Sequence, residues 1–138
     1  MTDAGLPGAL AEALEGTEGL VSAYLFGSVA DGRAHRESDV DMAVLLDWAT
    51  HPDAARRFDV RLRLISRLQA VSQRDVDLVV LNDAPPQLGR HIMTTGCRLV
   101  VLDPELDHAH LRVTLSRAAD LEPFLRRMRA VKLAALSR

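Results

Sequence analysis

The chain has 138 residues, a net charge of −2 and one cysteine, Cys97. A chain of this length can bury one hydrophobic core, so we expect a single domain over residues 1–138. The net charge gives no general attraction to nucleic acid, and we expect no direct nucleic-acid binding. The single cysteine excludes an intramolecular disulfide, and neither a secretory signal nor an apolar run of about 20 residues is present, so we expect a cytoplasmic protein without a membrane span.

The first half of the chain predicts two helices and two buried strands. Residues 5–15 read as a short helix, and the apolar segment LVSAYLF at 20–26 predicts a strand that stops at Gly27. A second strand is predicted at 38–46, SDVDMAVLL, and a long helix runs from about 53 to 71. This helix is expected to bury the stripe Phe58, Leu62, Ile65 and Leu68 and to expose Arg56, Arg57, Arg63 and Arg67.

The second half continues the alternation of strands and helices. Strands are predicted at 75–81 and 98–102, with a helix between them that begins at Pro85-Pro86 and ends near Gly96. From about 105 to 136 the chain is helical, and Pro123 either starts a new helix or kinks a long one. The fold class is therefore α/β, a small mixed β-sheet with flanking helices and a C-terminal helical segment.

Two aspartates at the start of the second strand carry the first chemical signal. Alternate side chains of a strand share a face, so Asp39 and Asp41 point the same way, roughly 7 Å apart along the backbone. Neighbouring carboxylates repel one another unless a cation lies between them. Mg²⁺ suits such a pair because it prefers oxygen ligands and is usually held by one or two carboxylates together with substrate phosphates. The alternative is a pair of solvent-exposed residues that only solubilise the strand.

A third carboxylate and a glycine turn complete the pattern. The third strand repeats the sequence DVD, and we choose Asp77 over Asp75 because it lies deeper in the strand, where an uncompensated charge is costlier. Three carboxylates can hold two metals that stabilise the attacking and leaving oxygens of a displacement at phosphorus. Gly27 lets backbone amides approach an anion closely, and Ser28 adds a hydroxyl. A triphosphate could then lie between this turn and the metals.

The segment GSVADGRAHRESDVDMAVLL resembles the GSx10DxD signature of the nucleotidyltransferase superfamily related to DNA polymerase β. The stretch DVDLVVLNDAPPQLGRHIMTTGCRLVVLD is similar to the downstream segment of the minimal, MNT-type members, and the resemblance covers about residues 20–103. It implies that Gly27 and Ser28 bind nucleotide phosphates and that Asp39, Asp41 and Asp77 are catalytic metal ligands. Arg33, in the spacer, could reach a phosphate or could be a solvated loop residue.

The resemblance also implies a reaction and a partner. It implies transfer of AMP from ATP, with Mg²⁺, to a hydroxyl of a HEPN-domain ribonuclease toxin, with tyrosine as the expected acceptor, so that the chain acts as an antitoxin in a hetero-oligomer. Two alternatives stay open: a non-catalytic antitoxin that neutralises its partner by binding, and a nucleotidyltransferase acting on a small molecule of the aminoglycoside type. The motif alone selects neither the nucleotide base nor the number of nucleotides transferred.

The C-terminal helical segment has an uneven charge distribution. From residue 111 to 138 there are seven basic residues and two acidic ones. A basic helix face with small apolar residues could bind an acidic partner. The alternatives are a solvated face and packing against the protein's own sheet.

Overall fold

In the computed structural model, which describes residues 5–30 and 39–137, helices and strands alternate along the chain. The helices are α1 (Leu6–Leu14), α2 (Gly27–Ala30), α3 (Ala54–Ser72), α4 (Pro86–Thr95) and α5 (Pro104–Leu136), and the strands are β1 (Leu20–Phe26), β2 (Val40–Leu46), β3 (Val76–Val80) and β4 (Cys97–Val101). No helix in these described ranges is long and apolar enough to cross a membrane. Ser38, the predicted first residue of the second strand, and Arg33 lie outside the described residues.

The four strands of the described chain form one mixed sheet in the order β3-β2-β1-β4. β1 pairs antiparallel with both β2 and β4, and β2 pairs parallel with β3. A parallel pair needs a crossover connection, which α3 supplies. This mixed sheet with helices around it confirms the predicted fold class.

Each face of the sheet is covered by a helical layer with its own apolar cluster. On one face Val40, Met42, Val44 and Leu46 of β2 pack with apolar residues of α1 and α3. On the other face Tyr24, Ala43 and Leu45 pack with Ile92 and Met93 of α4. Each fully buried leucine or isoleucine contributes roughly 1.5–3 kcal/mol of transfer free energy. β2 is thus fixed from both sides, and the position of the aspartates at its start is fixed with it.

The predicted stripe of α3 is wrong in part. Leu68 is fully buried and Ile65 packs against the core, but Phe58 and Leu62 are 53% and 46% exposed. Arg57, predicted to be exposed, is buried because Asp83 accepts two hydrogen bonds from its guanidinium, at 2.9 and 2.8 Å. Pairing and hydrogen bonding offset part of the desolvation cost of burying this charge.

The C-terminal segment is one helix, α5, which continues through Pro123. Its first turns are attached to β1 by the buried Asp107 carboxylate, which accepts hydrogen bonds from Ser22 Oγ and Tyr24 Oη, both at 2.6 Å. Arg98 of β4 completes this cluster with its guanidinium 3.6 Å from the same carboxylate. From residue 126 to 136 every residue of α5 is exposed.

Candidate active site

The pairing of β2 with β3 brings two of the predicted aspartates together. In this parallel pair Asp41 lies opposite Asp77, and adjacent strands are about 4.8 Å apart. Asp39 immediately precedes β2, two residues from Asp41 and on the same side of the strand. Asp75 lies before β3, where its carbonyl accepts a hydrogen bond from the Val40 amide at 2.9 Å. The three aspartates chosen from the sequence therefore share one end of the sheet.

The glycine turn lies at the same end, because β1 is antiparallel to β2. Phe26, the last residue of β1, pairs with Asp41, so Gly27 follows directly beside that carboxylate. Gly27 has a φ of +73°, and a Cβ added to it would collide with the Asp41 carboxylate and lie 3.1 Å from its Cγ. Only glycine satisfies both conditions without strain. The single turn α2, which contains Ser28, begins here.

Electrostatic repulsion within the cluster is visible at Asp41. Partial burial raises the pKa of the Asp41 carboxyl, and the negative charges of Asp77 and Asp39 raise that pKa further. Burial and like charges both disfavour an ionised carboxyl. A cation bound among these groups would favour the ionised state again.

The donor set fits a hard divalent cation. Within residues 5–30 and 39–137, no three His, Cys, Asp or Glu side chains converge closely enough to hold a metal ion on their own. Mg²⁺ does not require a complete protein cage, since one or two carboxylates, waters and substrate phosphates usually form its coordination shell. Asp39 and Asp77 are exposed and Asp41 is only partly buried, so all three remain accessible to such a complex.

An open apolar groove of about 450 Å³ leads away from the carboxylates along the edge of the sheet. Asp77 lies in it together with Phe58 of α3 and with Pro85 and Leu88 near the start of α4. The sequence did not reveal this groove, because the period of α3 assigned Phe58 to the core. α3 has more apolar residues than one buried stripe needs, and this excess is the signal that could have indicated the groove.

The family described as "Polymerase beta, Nucleotidyltransferase" matches residues 9–105 of the chain. Among curated proteins, Protein adenylyltransferase MntA of Shewanella oneidensis strain MR-1 is 41% identical over 76 residues, which are 55% of this chain and 50% of MntA. The chain therefore spans about half the length of this curated relative.

Solved structures extend the similarity over nearly the whole chain. A chain in a crystal structure of a toxin–antitoxin with AMP-PNP is 28% identical with a TM-score of 0.69, covering 96% of this chain and 98% of that one. A chain in the complex of tri-AMPylated Shewanella oneidensis HEPN toxin with MNT antitoxin has a TM-score of 0.65 at 24% identity, covering 99% and 100%. This second similarity concerns the fold alone.

Proposed function

The chain belongs to the polymerase β nucleotidyltransferase family, and from this membership we propose that it is an antitoxin that transfers AMP from ATP to a tyrosine hydroxyl of a HEPN-domain toxin. The observation that carries the proposal is the alignment of Asp41 with Asp77 beside the Gly27 turn. The 41% identity to a protein adenylyltransferase supports AMP as the transferred group. The 28% identity to a chain of a toxin–antitoxin structure with AMP-PNP supports the nucleotide and the kind of partner.

Each residue of the site has a role in this reaction. The Gly27 and Ser28 amides and the Ser28 hydroxyl bind the phosphates of ATP. Asp39, Asp41 and Asp77 would hold Mg²⁺ together with the phosphates, and the metal would neutralise charge on the phosphates and on the oxygens at the reacting phosphorus. Asp77 also accepts the proton of the acceptor hydroxyl. The acceptor oxygen forms a bond to the α-phosphorus, the bond from that phosphorus to the β-phosphate oxygen breaks, and pyrophosphate leaves.

The groove beside Asp77 supports a protein acceptor with an aromatic side chain. Phe58, Pro85 and Leu88 provide apolar surface next to the carboxylate that would receive the proton. A phenol ring with a polar tip suits such a position, because its body buries apolar area and its hydroxyl reaches a polar group.

The direct test compares two aspartates of the same segment, Asp77 and Asp75. The purified chain is incubated with Mg²⁺, α-labelled ATP and a HEPN-domain toxin, and label on that toxin is measured. We expect Asp77→Ala to lower the transfer rate by about 10²-fold or more, since a metal ligand and proton acceptor is lost, and Asp75→Ala to change it by less than about threefold. EDTA should abolish labelling. Equal rates for Asp77→Ala and the unmodified chain would contradict the site.

A further inference from the structure

The distal half of α5 carries an apolar stripe that is largely exposed in the described chain. The stripe consists of residues spaced three, four, three and four apart: Leu121, Phe124, Met128, Val131 and Ala135. This spacing places them on one face of the helix, in the a and d positions of a heptad pattern. Phe124, Met128 and Val131 are 50%, 53% and 66% exposed, and every residue from 126 to 136 is exposed.

The same face continues into the proximal half of α5, where it borders a cavity. The stripe is preceded on this face by Leu106, His110, Val113 and Arg117, at spacings of four, three and four residues. Arg117 lies four residues before Leu121, the first residue of the stripe. These four residues line a cavity of about 310 Å³ together with Trp48, which is 48% exposed. One surface therefore runs along the whole helix, from this cavity to the exposed stripe.

A helical partner is the occupant that fits this shape. Heptad spacing buries its a and d residues against another helix. The last turns of α5 are exposed among the described residues, and isolated helices shorter than about 12–15 residues are marginal in water. A helix that packs on the stripe would cover these turns.

The charges beside the stripe identify the chemistry of that partner. Arg127 precedes Met128 and Lys132 follows Val131, so cations lie on both edges of the stripe, in the g and e positions. Neither forms an ion pair or hydrogen bond within residues 5–30 and 39–137, whereas Arg126 and Arg129 both pair with Glu122. Two copies of α5 packed in parallel would place Arg127 against Lys132. Like charges across the seam disfavour such a parallel pair of this chain.

We propose that this α5 stripe binds an amphipathic helix of the HEPN-domain partner, with acidic residues on both edges of that helix's apolar seam. The partner's identity rests on the proposed function. The stripe acts in binding, so its loss affects affinity for the partner and leaves the chemistry of the bound complex unchanged.

The test uses two exposed apolar residues of the same helix. Met128 lies on the stripe, whereas Leu133, which is 66% exposed, lies on a different face. Affinity for the HEPN-domain partner of the proposed function is measured by calorimetry with the full chain. We expect Met128→Asp to weaken binding at least about tenfold and Leu133→Asp to change it less than about twofold. In the double variant Arg127→Glu with Lys132→Glu, binding should weaken and its dependence on salt should decrease.

Control measurements separate docking from folding and from catalysis. Both aspartate variants should keep the circular dichroism spectrum and the MgATP affinity of the unmodified chain. At saturating partner, Met128→Asp should transfer AMP at the unmodified rate. Equal binding by Met128→Asp and Leu133→Asp, with AMP transfer intact, would overturn the docking surface and leave the proposed function standing. Binding that depends on Met128, but without any AMP transfer, would support the docking surface and contradict the proposed function.

Two further outcomes would also overturn the docking surface. The first is an unmodified chain that does not bind the HEPN-domain protein at all. The second is a dimer of the isolated chain, in sedimentation at micromolar concentration, that Met128→Asp dissociates.

Discussion

Asp41 lies where the folded chain opposes the ionisation of a carboxyl. Partial burial raises the pKa of this carboxyl, and the negative charges of Asp77 and Asp39 raise that pKa further. Gly27 packs directly against the same carboxylate. An acid whose pKa is higher in the folded than in the unfolded protein destabilises the fold when it is ionised. The metal-free protein is therefore less stable at neutral pH than one with a neutral group at this position.

The first residue-scale prediction is that Asp41→Asn abolishes AMP transfer and stabilises the metal-free chain at pH 7. Because the pKa of Asp41 is raised in the fold, its ionised carboxylate destabilises the folded chain at pH values above that raised pKa. The destabilisation disappears as the pH falls through the raised pKa toward the ordinary value of 3.8, since the carboxyl becomes protonated. The difference in melting temperature between variant and unmodified chain should therefore shrink on acidification. Thermal unfolding in EDTA from pH 7 to pH 3 measures it.

Asp59→Asn is the control for this experiment, because Asp59 is an exposed acidic residue of α3. Its melting temperature should differ little from that of the unmodified chain at any of these pH values. A lower melting temperature for Asp41→Asn at pH 7 would show that the carboxylate is not repelled in the fold.

The sequence could predict the three aspartates because side-chain alternation and depth are properties of single strands. The period of two placed Asp39 and Asp41 on one face, and the depth argument selected Asp77. The contact between Gly27 and Asp41 was beyond sequence rules, because it depends on the antiparallel register of β1 with β2. The residues of the motif can therefore be predicted from the sequence, whereas the contact between the glycine turn and the aspartates depends on how the strands pair.

At the scale of elements, the attachment of α5 to the sheet depends on Asp107. Its buried carboxylate accepts both the Ser22 and Tyr24 hydroxyls, and Arg98 lies beside it. Ser22 and Tyr24 are fully buried, so they have no water to replace this acceptor. Nothing in the local sequence marks Asp107, because the two hydroxyls that it accepts are more than 80 residues away.

We predict that Asp107→Ala destabilises the chain by about 3 kcal/mol, since each buried hydroxyl left without a partner costs roughly 1–3 kcal/mol. Urea unfolding at pH 7 measures the change. Glu105→Ala removes an exposed acid from the same helical turn and should cost less than about 0.5 kcal/mol. Similar losses in the two variants would contradict the buried cluster.

α3 shows how an element can be predicted while its orientation is not. Its length and its amphipathic pattern were predicted, but two apolar faces compete along it. The one containing Leu64 and Leu68 is buried, and Asp83 brings Arg57 inside with it. Phe58 is left outside the core, where it lines the same groove as Asp77.

We predict that Phe58→Ser raises the KM for the HEPN-domain partner several-fold and leaves MgATP affinity unchanged, because the groove would lose apolar surface that holds the acceptor ring. Steady-state labelling at varied partner concentration measures this effect. Leu62→Ser removes a similarly exposed apolar residue of α3 that does not line the groove. Equal KM values for the two variants would exclude Phe58 from the acceptor site.

At the scale of the whole molecule, the carboxylates and the cavity on α5 lie at opposite ends of β2. Asp41 is near the start of this strand, whereas Leu46, Asp47 and Trp48 at its end line the cavity. Seven strand residues span about 20 Å, so the two sites are separate. The proposed docking surface begins at one end of β2, and the proposed acceptor site lies at the other. Composition and motif could not predict this layout, since it follows from the order of strands in the sheet.

The measurement that tests the central claim most directly is the intact mass of the HEPN-domain partner after co-expression with this chain. The proposed function predicts a mass increase of one or more adenylyl groups with the unmodified chain and none with the double variant Asp39→Ala and Asp41→Ala. A partner of unchanged mass that still co-purifies with the unmodified chain would contradict AMP transfer and identify an antitoxin that acts by binding alone.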